Sequence, residues 1–297
     1  MALVEHAPAK VNLTLAVRRR RADGYHDLES LVVFARTGDA LSFVPGDAGH
    51  GLVVRGRSAA AAGPAADNLV LKAAALLAAR VPGLPGGIFT LIKRLPVAAG
   101  LGGGSSDAAA ALRLLARAAG LGLDDPRVVE AARLTGSDVP VCVAATARMM
   151  RGTGAELGPA LALPRLPALL VNPGVAVATP AVFGKLGLAP GSEQDADPAG
   201  LLVEAASFGP ERSARDRLVA AVNASRNDLE PPALALAPIV GHALERLRAT
   251  AGCRLARMSG SGATVFGLYD SCRAAAAAAR VIRTAAPDWW VKPTMLG

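Results

Sequence analysis

One stretch constrains the fold of this 297-residue chain more than any other: Pro96-Val-Ala-Ala-Gly-Leu-Gly-Gly-Gly-Ser-Ser-Asp-Ala-Ala-Ala-Ala111. Gly100, Gly102, Gly103 and Gly104 accept positive φ without a Cβ clash, so the backbone is free to curl and aim several N–H groups at one point. From Asp107 to Arg117 the chain is Ala/Leu-rich with helical spacing and stops at Gly120, and Ser105 or Ser106 is a suitable N-cap. The loop therefore opens a helix, whose uncapped amides and positive dipole end favour phosphate oxygens. Without a ligand the same residues would make a tight strand-to-helix turn, but three clustered glycines followed by two hydroxyls favour phosphate.

Several phosphate loops are excluded by the residues themselves. Ser105 and Ser106 follow Gly104 with no lysine between, so this is not a G-K-[ST] loop. It lies a third of the way along the chain, too late for the first βα unit of a dinucleotide fold. The H-R-D and D-F-G segments of a protein kinase are missing. The stretch resembles the second motif, P-x-x-x-G-L-G-S-S, of the superfamily of galactokinase, homoserine kinase, mevalonate kinase and phosphomevalonate kinase. That resemblance implies ATP contacts from Pro96, Val97, Ala98, Ala99, Gly100, Leu101, Gly102, Gly103, Gly104, Ser105 and Ser106. The family loop carries more glycine after its proline, so Ala98 and Ala99 are a departure that weakens any claim to positive φ at those two positions.

Composition sets the outer bounds. With 52% hydrophobic residues the chain buries a substantial core, and its length allows two modest domains or one large one. No apolar stretch is long enough to span a bilayer and the N-terminus lacks a signal-peptide pattern, which predicts a cytosolic protein without a membrane partner. Cys142, Cys253 and Cys272 are odd in number and far apart, against a disulfide framework or a zinc site. The net charge of +8 and the run Arg18 to Arg21 would suit RNA or DNA, yet a polyphosphate substrate explains the same bias, so nucleic acid is not expected as a partner.

Along the chain, Val4 to Val17 alternates as one or two strands interrupted by Pro8, with Lys10 and Asn12 on one face. An Arg-Ala-Asp-Gly-Tyr-His26 turn follows, and Leu28 to Phe34 returns as a strand. Together with the glycine loop, Pro8-Ala-Lys-Val-Asn-Leu-Thr-Leu15 and this turn look like the branch of the superfamily that phosphorylates a cytidine diphosphate-linked methylerythritol in the non-mevalonate route to isoprenoids. The resemblance implies Tyr25 stacked on the cytosine, His26 bonded to its edge, and Lys10 and Asn12 at the methylerythritol end. Stacking a base on tyrosine is physically sound, worth about 1–3 kcal/mol. Taken alone, Tyr25 and His26 are ordinary loop residues and Lys10 an exposed strand lysine.

Strands are expected over Asp39 to Val44, Gly51 to Arg55 and Gly87 to Leu95, with a helix from Asn68 to about Arg80. In the family the asparagine of this N-L segment lies near the nucleotide, which makes Asn68 a candidate. Lys93 either reaches the adenosine or its phosphates or is a solvated strand-end lysine.

Asp138 lies in Gly136-Ser-Asp-Val-Pro140, after a helix from Asp124 or Asp125 to Leu134. An aspartate there is a cap or Asx turn on local grounds. The resemblance to the family's G-[AS]-D-V-P implies the catalytic carboxylate. Phosphoryl transfer to an alcohol needs a base for the hydroxyl proton and fixed positive charge beside it, and Asp138 with Lys10 would supply both. Mg²⁺ is expected with ATP. No carboxylate cluster is dedicated to it, its ligands are unassigned, and the Ser106 hydroxyl is one candidate.

In the second half, Leu166 to Asn172 reads as a buried strand, and Thr-Pro-x-x-Phe183 opens a helix. By resemblance Thr179 and Phe183 line the cytidine pocket; locally they are an N-cap and a core aromatic. Ala189 to Gly200 reads as a mobile loop, with helices over Glu211 to Ser225 and Pro232 to Ala251 and Asn227-Asp228 as a structural break. The Ser259-Gly-Ser-Gly-Ala263 turn between two strands resembles the superfamily's third motif, which packs on the phosphate loop. The implied fold is α+β in two domains, 1–150 of ribosomal-protein-S5 type binding ATP and carrying catalysis, and 151–297 ferredoxin-like and completing the substrate pocket, with the active site in the cleft between them. Two alternatives stay open: another small-alcohol kinase of the superfamily, and a nucleotide- or RNA-binding protein without turnover.

Overall fold

A computed structural model describes residues 2–47, 49–194 and 212–297. Residues 195–200 of the expected loop, and Glu211, lie outside the described residues. In chain order the first half forms β1 (Leu3–Asn12), β2 (Ala16–Arg20), β3 (His26–Gly46), β4 (His50–Arg55), α1 (Leu69–Ala78), β5 (Gly86–Ile92), α2 (Gly103–Ala118), α3 (Pro126–Thr135) and α4 (Val139–Ala144). The second forms β6 (Arg148–Gly152), β7 (Glu156–Leu157), β8 (Leu166–Asn172), α5 (Thr179–Lys185), α6 (Arg212–Ala224), α7 (Glu230–Leu236), α8 (Pro238–Arg248), β9 (Cys253–Met258), β10 (Val265–Tyr269), α9 (Cys272–Ala285) and β11 (Trp290–Leu296).

Two expected interruptions are absent. β1 runs straight through Pro8, whose carbonyl accepts a hydrogen bond from Ser106 Oγ at 2.7 Å and whose missing N–H is not required there. β3 is one strand of 21 residues where two short ones were expected. Gly38 stands inside it because a Cβ there would meet the Ala7 carbonyl oxygen at 2.2 Å, so the glycine marks a close approach and not a turn.

By contacts the chain divides into two units that interleave in sequence. One comprises Met1–Lys10, Gly38–Val97 and Gly102–Ala145; the other comprises Val11–Thr37, Ala98–Leu101 and Thr146–Gly297. This grouping differs from the halves 1–150 and 151–297 because β1 and β3 each contribute residues to both units.

In the first unit β4 pairs parallel with β5, and β5 antiparallel with the end of β3, with Val44 opposite Ile88. Alternation along these strands buries Leu41, Phe43, Phe89 and Leu91 completely and leaves Val44, Val53 and Ile88 exposed. α1 packs on α2 and α3, and α2 packs on α4. The small side chains of Ala108 to Ala111 are fully buried, and with Leu112, Leu114 and Leu115 they make α2 the central helix of this core. Each large apolar side chain buried here contributes about 1.5–3 kcal/mol.

In the second unit β2 and β6 flank the first part of β3, and β11, β8, β10 and β9 form an antiparallel sheet in that order. By chain order this is fourth, first, third, second, the ferredoxin-like arrangement expected for this half. All seven residues of β8 are buried, which is why Leu166 to Val171 reads as a continuous apolar run before Asn172. Leu169, Val171, Leu244, Leu247, Val265 and Ile282 meet in one core between the sheet and helices α8 and α9.

Candidate active site

The helix that opens at the glycine loop begins three to four residues earlier than expected, with its cap at Gly102 instead of Ser105 or Ser106. Gly102 takes φ 58°, in the left-handed region, and is the N-cap of α2 without any side-chain cap bond. Ser105 and Ser106 are therefore inside the first turn, and neither is the cap. The first intrahelical bond is from Ser106 N–H to the Gly102 carbonyl at 2.8 Å, so the N–H groups of Gly103, Gly104 and Ser105 precede it. Gly104 is exposed, and a Cβ there would meet only Leu69 Cδ1, at 3.6 Å, so the helix end stays open to a phosphate-sized anion.

Ser106 itself is turned inward. Its hydroxyl is buried, donates to the Pro8 carbonyl and lies 3.4 Å from Cys142 Sγ, which removes it as the metal-ligand candidate. Burial pushes the Cys142 thiol up to about 12, so it is no nucleophile. Among the described residues no group of three or more His, Cys, Asp or Glu is placed to hold a metal ion.

Beside the helix end lies Lys10. Its Nζ is 2.9 Å from Asp138 Oδ2, and a Cβ on Gly102 would stand 3.0 Å from Lys10 Cε. The Lys10 side chain is 5% exposed and that of Asp138 32%, so the pair is closed on the lysine side and open at the carboxylate. Asp138 occupies the N-cap position of α4 yet makes no side-chain cap bond. The capping alternative is thereby excluded, and the carboxylate is directed at the lysine instead.

Lys93 differs from both sequence-based expectations. It is neither solvated nor extended toward a ligand: its Nζ contacts Asp39 Oδ2 at 2.5 Å and Asp107 Oδ2 at 2.6 Å, and it is 4% exposed. Burial pulls its pKa down, but the two carboxylates together outweigh burial and raise it. Asn68 caps α1, its Oδ1 accepting from Val70 N–H at 3.0 Å. Pro96 is half-buried and Val97 exposed, at the end of this unit's segment.

In the second unit the intervening residues Ala98 to Leu101 are fastened to the Ser-Gly-Ser-Gly turn. Ser259 Oγ donates to the Gly100 carbonyl at 2.9 Å and accepts from Asn12 N–H at 3.1 Å, while Thr264 N–H donates to the Ala99 carbonyl at 3.1 Å. A Cβ on Gly100 would stand 2.3 Å from the Ser259 carbonyl oxygen, so only glycine fits. Ala98 takes φ 50° despite being an alanine, so the departure seen in the sequence does not relax the backbone there. Asn227 Nδ2 donates to the carbonyls of Met258 and Gly260, holding the turn from its other side, in keeping with a structural break at Asn227-Asp228.

Asn12 is 1% exposed, and its amide donates to Ser30 Oγ at 2.7 Å. The amide is buried and bonded to the protein instead of being open to solvent. Tyr25 is 66% exposed on the turn after β2, which Asp23 Oδ1 shapes by accepting the Tyr25 N–H at 3.1 Å. His26 stacks on Phe183 with ring centroids 4.8 Å apart, and its pKa is lowered by burial first and by Arg20 second. Thr179 is not an N-cap, since the cap position falls to Ala178; its hydroxyl lies 2.8 Å from that of Ser261. Sequence reasoning missed the roles of Asp39 and Asp107, which act only by what they touch, whereas Ser259 and Ser261 lie in the turn whose resemblance to the third motif had placed it against the phosphate loop. In the arginine run, Arg19 pairs with Asp27 and Arg21 with Asp23 and Asp27.

Comparison with known proteins bears directly on this geometry. Family models described as GHMP kinases N terminal domain and GHMP kinases C terminal match residues 68–146 and 211–288. The chain belongs to the GHMP kinase family. The N-terminal match spans Asn68, the glycine loop and Asp138. The chain is 59% identical to 4-diphosphocytidyl-2-C-methyl-D-erythritol kinase of Methylobacterium radiotolerans, over 99% of each chain. It is 58% identical to the protein of that name from Xanthobacter autotrophicus, over 98% of this chain and 97% of the other. A crystal structure of 4-(cytidine 5'-diphospho)-2C-methyl-D-erythritol kinase superposes with a TM-score of 0.77 at 35% identity, covering 99% of each chain. Homoserine kinase from Cytophaga hutchinsonii, at 18% identity and a TM-score of 0.71, shares the fold. A GHMP kinase transfers phosphoryl groups from ATP, so the alternative of a binding protein without turnover falls away. Among the described residues no helix of this kinase is long and apolar enough to cross a membrane.

Proposed function

We propose that this kinase phosphorylates the 2-hydroxyl of 4-diphosphocytidyl-2-C-methyl-D-erythritol, in the cytoplasm, as a step of the non-mevalonate route to isoprenoid precursors. The 2.9 Å pairing of Lys10 with Asp138 carries the catalytic part of this reading. The substrate part rests on relatives of that name at 59% identity over nearly the whole chain.

Asp138 receives the proton of the accepting hydroxyl as the new P–O bond forms, and Lys10 balances negative charge beside it. The N–H groups at the start of α2, with Gly102 to Ser105, hold the phosphates of ATP, which supplies the γ-phosphoryl group when bound. Ala98 to Leu101 are the remaining loop residues assigned to ATP by resemblance, and Pro96, Val97 and Asn68 border the nucleoside. Mg²⁺ would come with the nucleotide and supply charge on its phosphates, and among the described residues no group of three or more carboxylate, His or Cys side chains would cage it. Tyr25 offers its exposed ring to the cytosine, His26 bonds the base edge, and Phe183 fixes the His26 ring; Thr179 and Asn12 act as supports of the substrate site and not through free polar groups. The working division is an ATP-binding and catalytic part, 1–150, and a substrate-completing part, 151–297.

The test is a panel of alcohols offered with ATP: the cytidyl substrate, homoserine, mevalonate and phosphomevalonate. Phosphorylation of the cytidyl compound with the highest kcat/KM is expected. A non-cytidine alcohol as the preferred acceptor would overturn the assignment.

A further inference from the structure

Beneath the start of α2 lies a buried cluster with one positive and two potentially negative groups. Lys93 touches both Asp39 and Asp107, and the three are 4%, 0% and 2% exposed. The two acids are not equivalent. Asp39 Oδ1 also accepts the backbone N–H groups of Arg94 and Leu95, at 2.5 and 2.8 Å, so both of its oxygens have donors. Asp107 Oδ1 is buried and has no hydrogen-bond partner. A carboxylate oxygen left in that condition is expensive, whereas a protonated carboxyl removes the excess charge.

The cluster is in contact with the loop. A Cβ on Gly103 would stand 3.1 Å from Lys93 Nζ and 3.8 Å from Asp39 Oδ2. Gly103 contributes one of the open N–H groups at the helix end. With Asp107 ionised, one uncompensated negative charge sits below the amides assigned to phosphate; with Asp107 protonated, the cluster is neutral.

We infer that Asp107 is a positioning residue which must hold a proton for the start of α2 to bind phosphate well. The inference rests on the phosphate-binding reading of that helix end. Burial first, and then Asp39, raise the Asp107 pKa to about 7, against the lowering influence of Lys93. Lys93 and Asp39 are the charges that act on Asp107, and the other buried charge at this helix end, Lys10 beside Gly102, is paired with Asp138. Lys72 of α1 donates to the Thr135 carbonyl, and α4 has no charged residue. Arg127, Glu130 and Arg133 of α3 are exposed, and Arg113 and Arg117 of α2 are paired with Glu5. His6 of β1 lies on the Asp39 side, and its pKa is lowered by burial and by Arg113 and Arg94.

The experiment is the pH dependence of KM for ATP from pH 6.5 to 8.5 in wild type and Asp107→Asn, whose amide mimics the neutral carboxyl. The ionisation of ATP affects both proteins alike and cancels in the comparison. The wild-type KM should rise relative to the variant by roughly three- to tenfold across this range. Superimposable profiles overturn the inference. A second measurement on wild type alone guards against misfolding of the variant: calorimetry of ADP binding at pH 8 in two buffers of different ionisation enthalpy. Proton uptake on binding is expected, and binding without uptake overturns the inference while leaving the phosphate site intact. Failure of ADP to bind at all would remove the phosphate-site reading itself, and the inference with it.

Discussion

Lys10 Nζ stands 2.9 Å from Asp138 Oδ2, joining a strand near the N-terminus to the first residue before α4. Local pattern does not pair the two residues; the family resemblance does. Asp138→Asn keeps the shape and removes the base, so kcat should fall by roughly 10²- to 10⁴-fold with KM for ATP little changed. Steady-state kinetics with ATP varied and the acceptor saturating decide it; an undiminished kcat would remove the base assignment.

Tyr25 has an exposed ring with no aromatic partner among the described ring contacts, whereas His26 already stacks on Phe183. Tyr25→Ala should raise KM for the cytidyl substrate by about tenfold, in line with 1–3 kcal/mol for one base stacked on an aromatic ring, and leave KM for ATP nearly unchanged. Equal increases in both constants would make Tyr25 a scaffold residue.

Ala98 holds φ 50° with its Cβ in place. A left-handed L-residue costs about 1–2 kcal/mol, and glycine returns part of that gain through the greater freedom of its unfolded chain. Ala98→Gly is therefore expected to stabilise by about 0.5–1 kcal/mol, seen as a higher urea midpoint at unchanged slope. A lower midpoint would mean the alanine methyl is packed more favourably than its backbone is strained.

Ser259 Oγ receives the Asn12 N–H and donates to the Gly100 carbonyl. Ser259→Ala strands a buried donor and a carbonyl together, costing about 1–3 kcal/mol of unfolding free energy. Chemical denaturation measures this directly, and a loss below a few tenths of a kcal/mol would show that water replaces the hydroxyl.

The Asp107 pKa is raised on folding, from an ordinary carboxylate value to about 7. The stability its proton confers is fully present below the unfolded value near 4 and is lost as pH rises through about 7. Wild type should thus lose stability relative to Asp107→Asn between pH 5 and 8, which paired melting curves at those two pH values will reveal. A constant difference between the two proteins contradicts the assigned titration.

Much of this was readable from residue order because the features are local. Glycines and a helical Ala/Leu stretch announce a loop feeding a helix, and six apolar residues in a row, Leu166 to Val171, announce β8. What local pattern could not supply was the effect of distant contact. Pro8 looked like a strand breaker until the partner of its carbonyl was known, and the break expected between Phe34 and Asp39 is absent because Gly38 lets β3 continue against the Ala7 backbone. Asn12 and Lys93 had the right chemistry for ligands, yet Ser30 claims one and Asp39 with Asp107 the other. Serines at the head of a helix suggest a cap, but the left-handed Gly102 starts the helix sooner and turns Ser106 toward β1.

The three thiols of the chain are also sorted by depth. Cys142 is sealed behind Ser106, Cys253 is half-covered with its thiol pushed up by burial, and Cys272 is exposed at the start of α9. Maleimide dyes at neutral pH will therefore attach at Cys272 first, giving a single fluorescent handle on a helix of the second unit without any engineered cysteine.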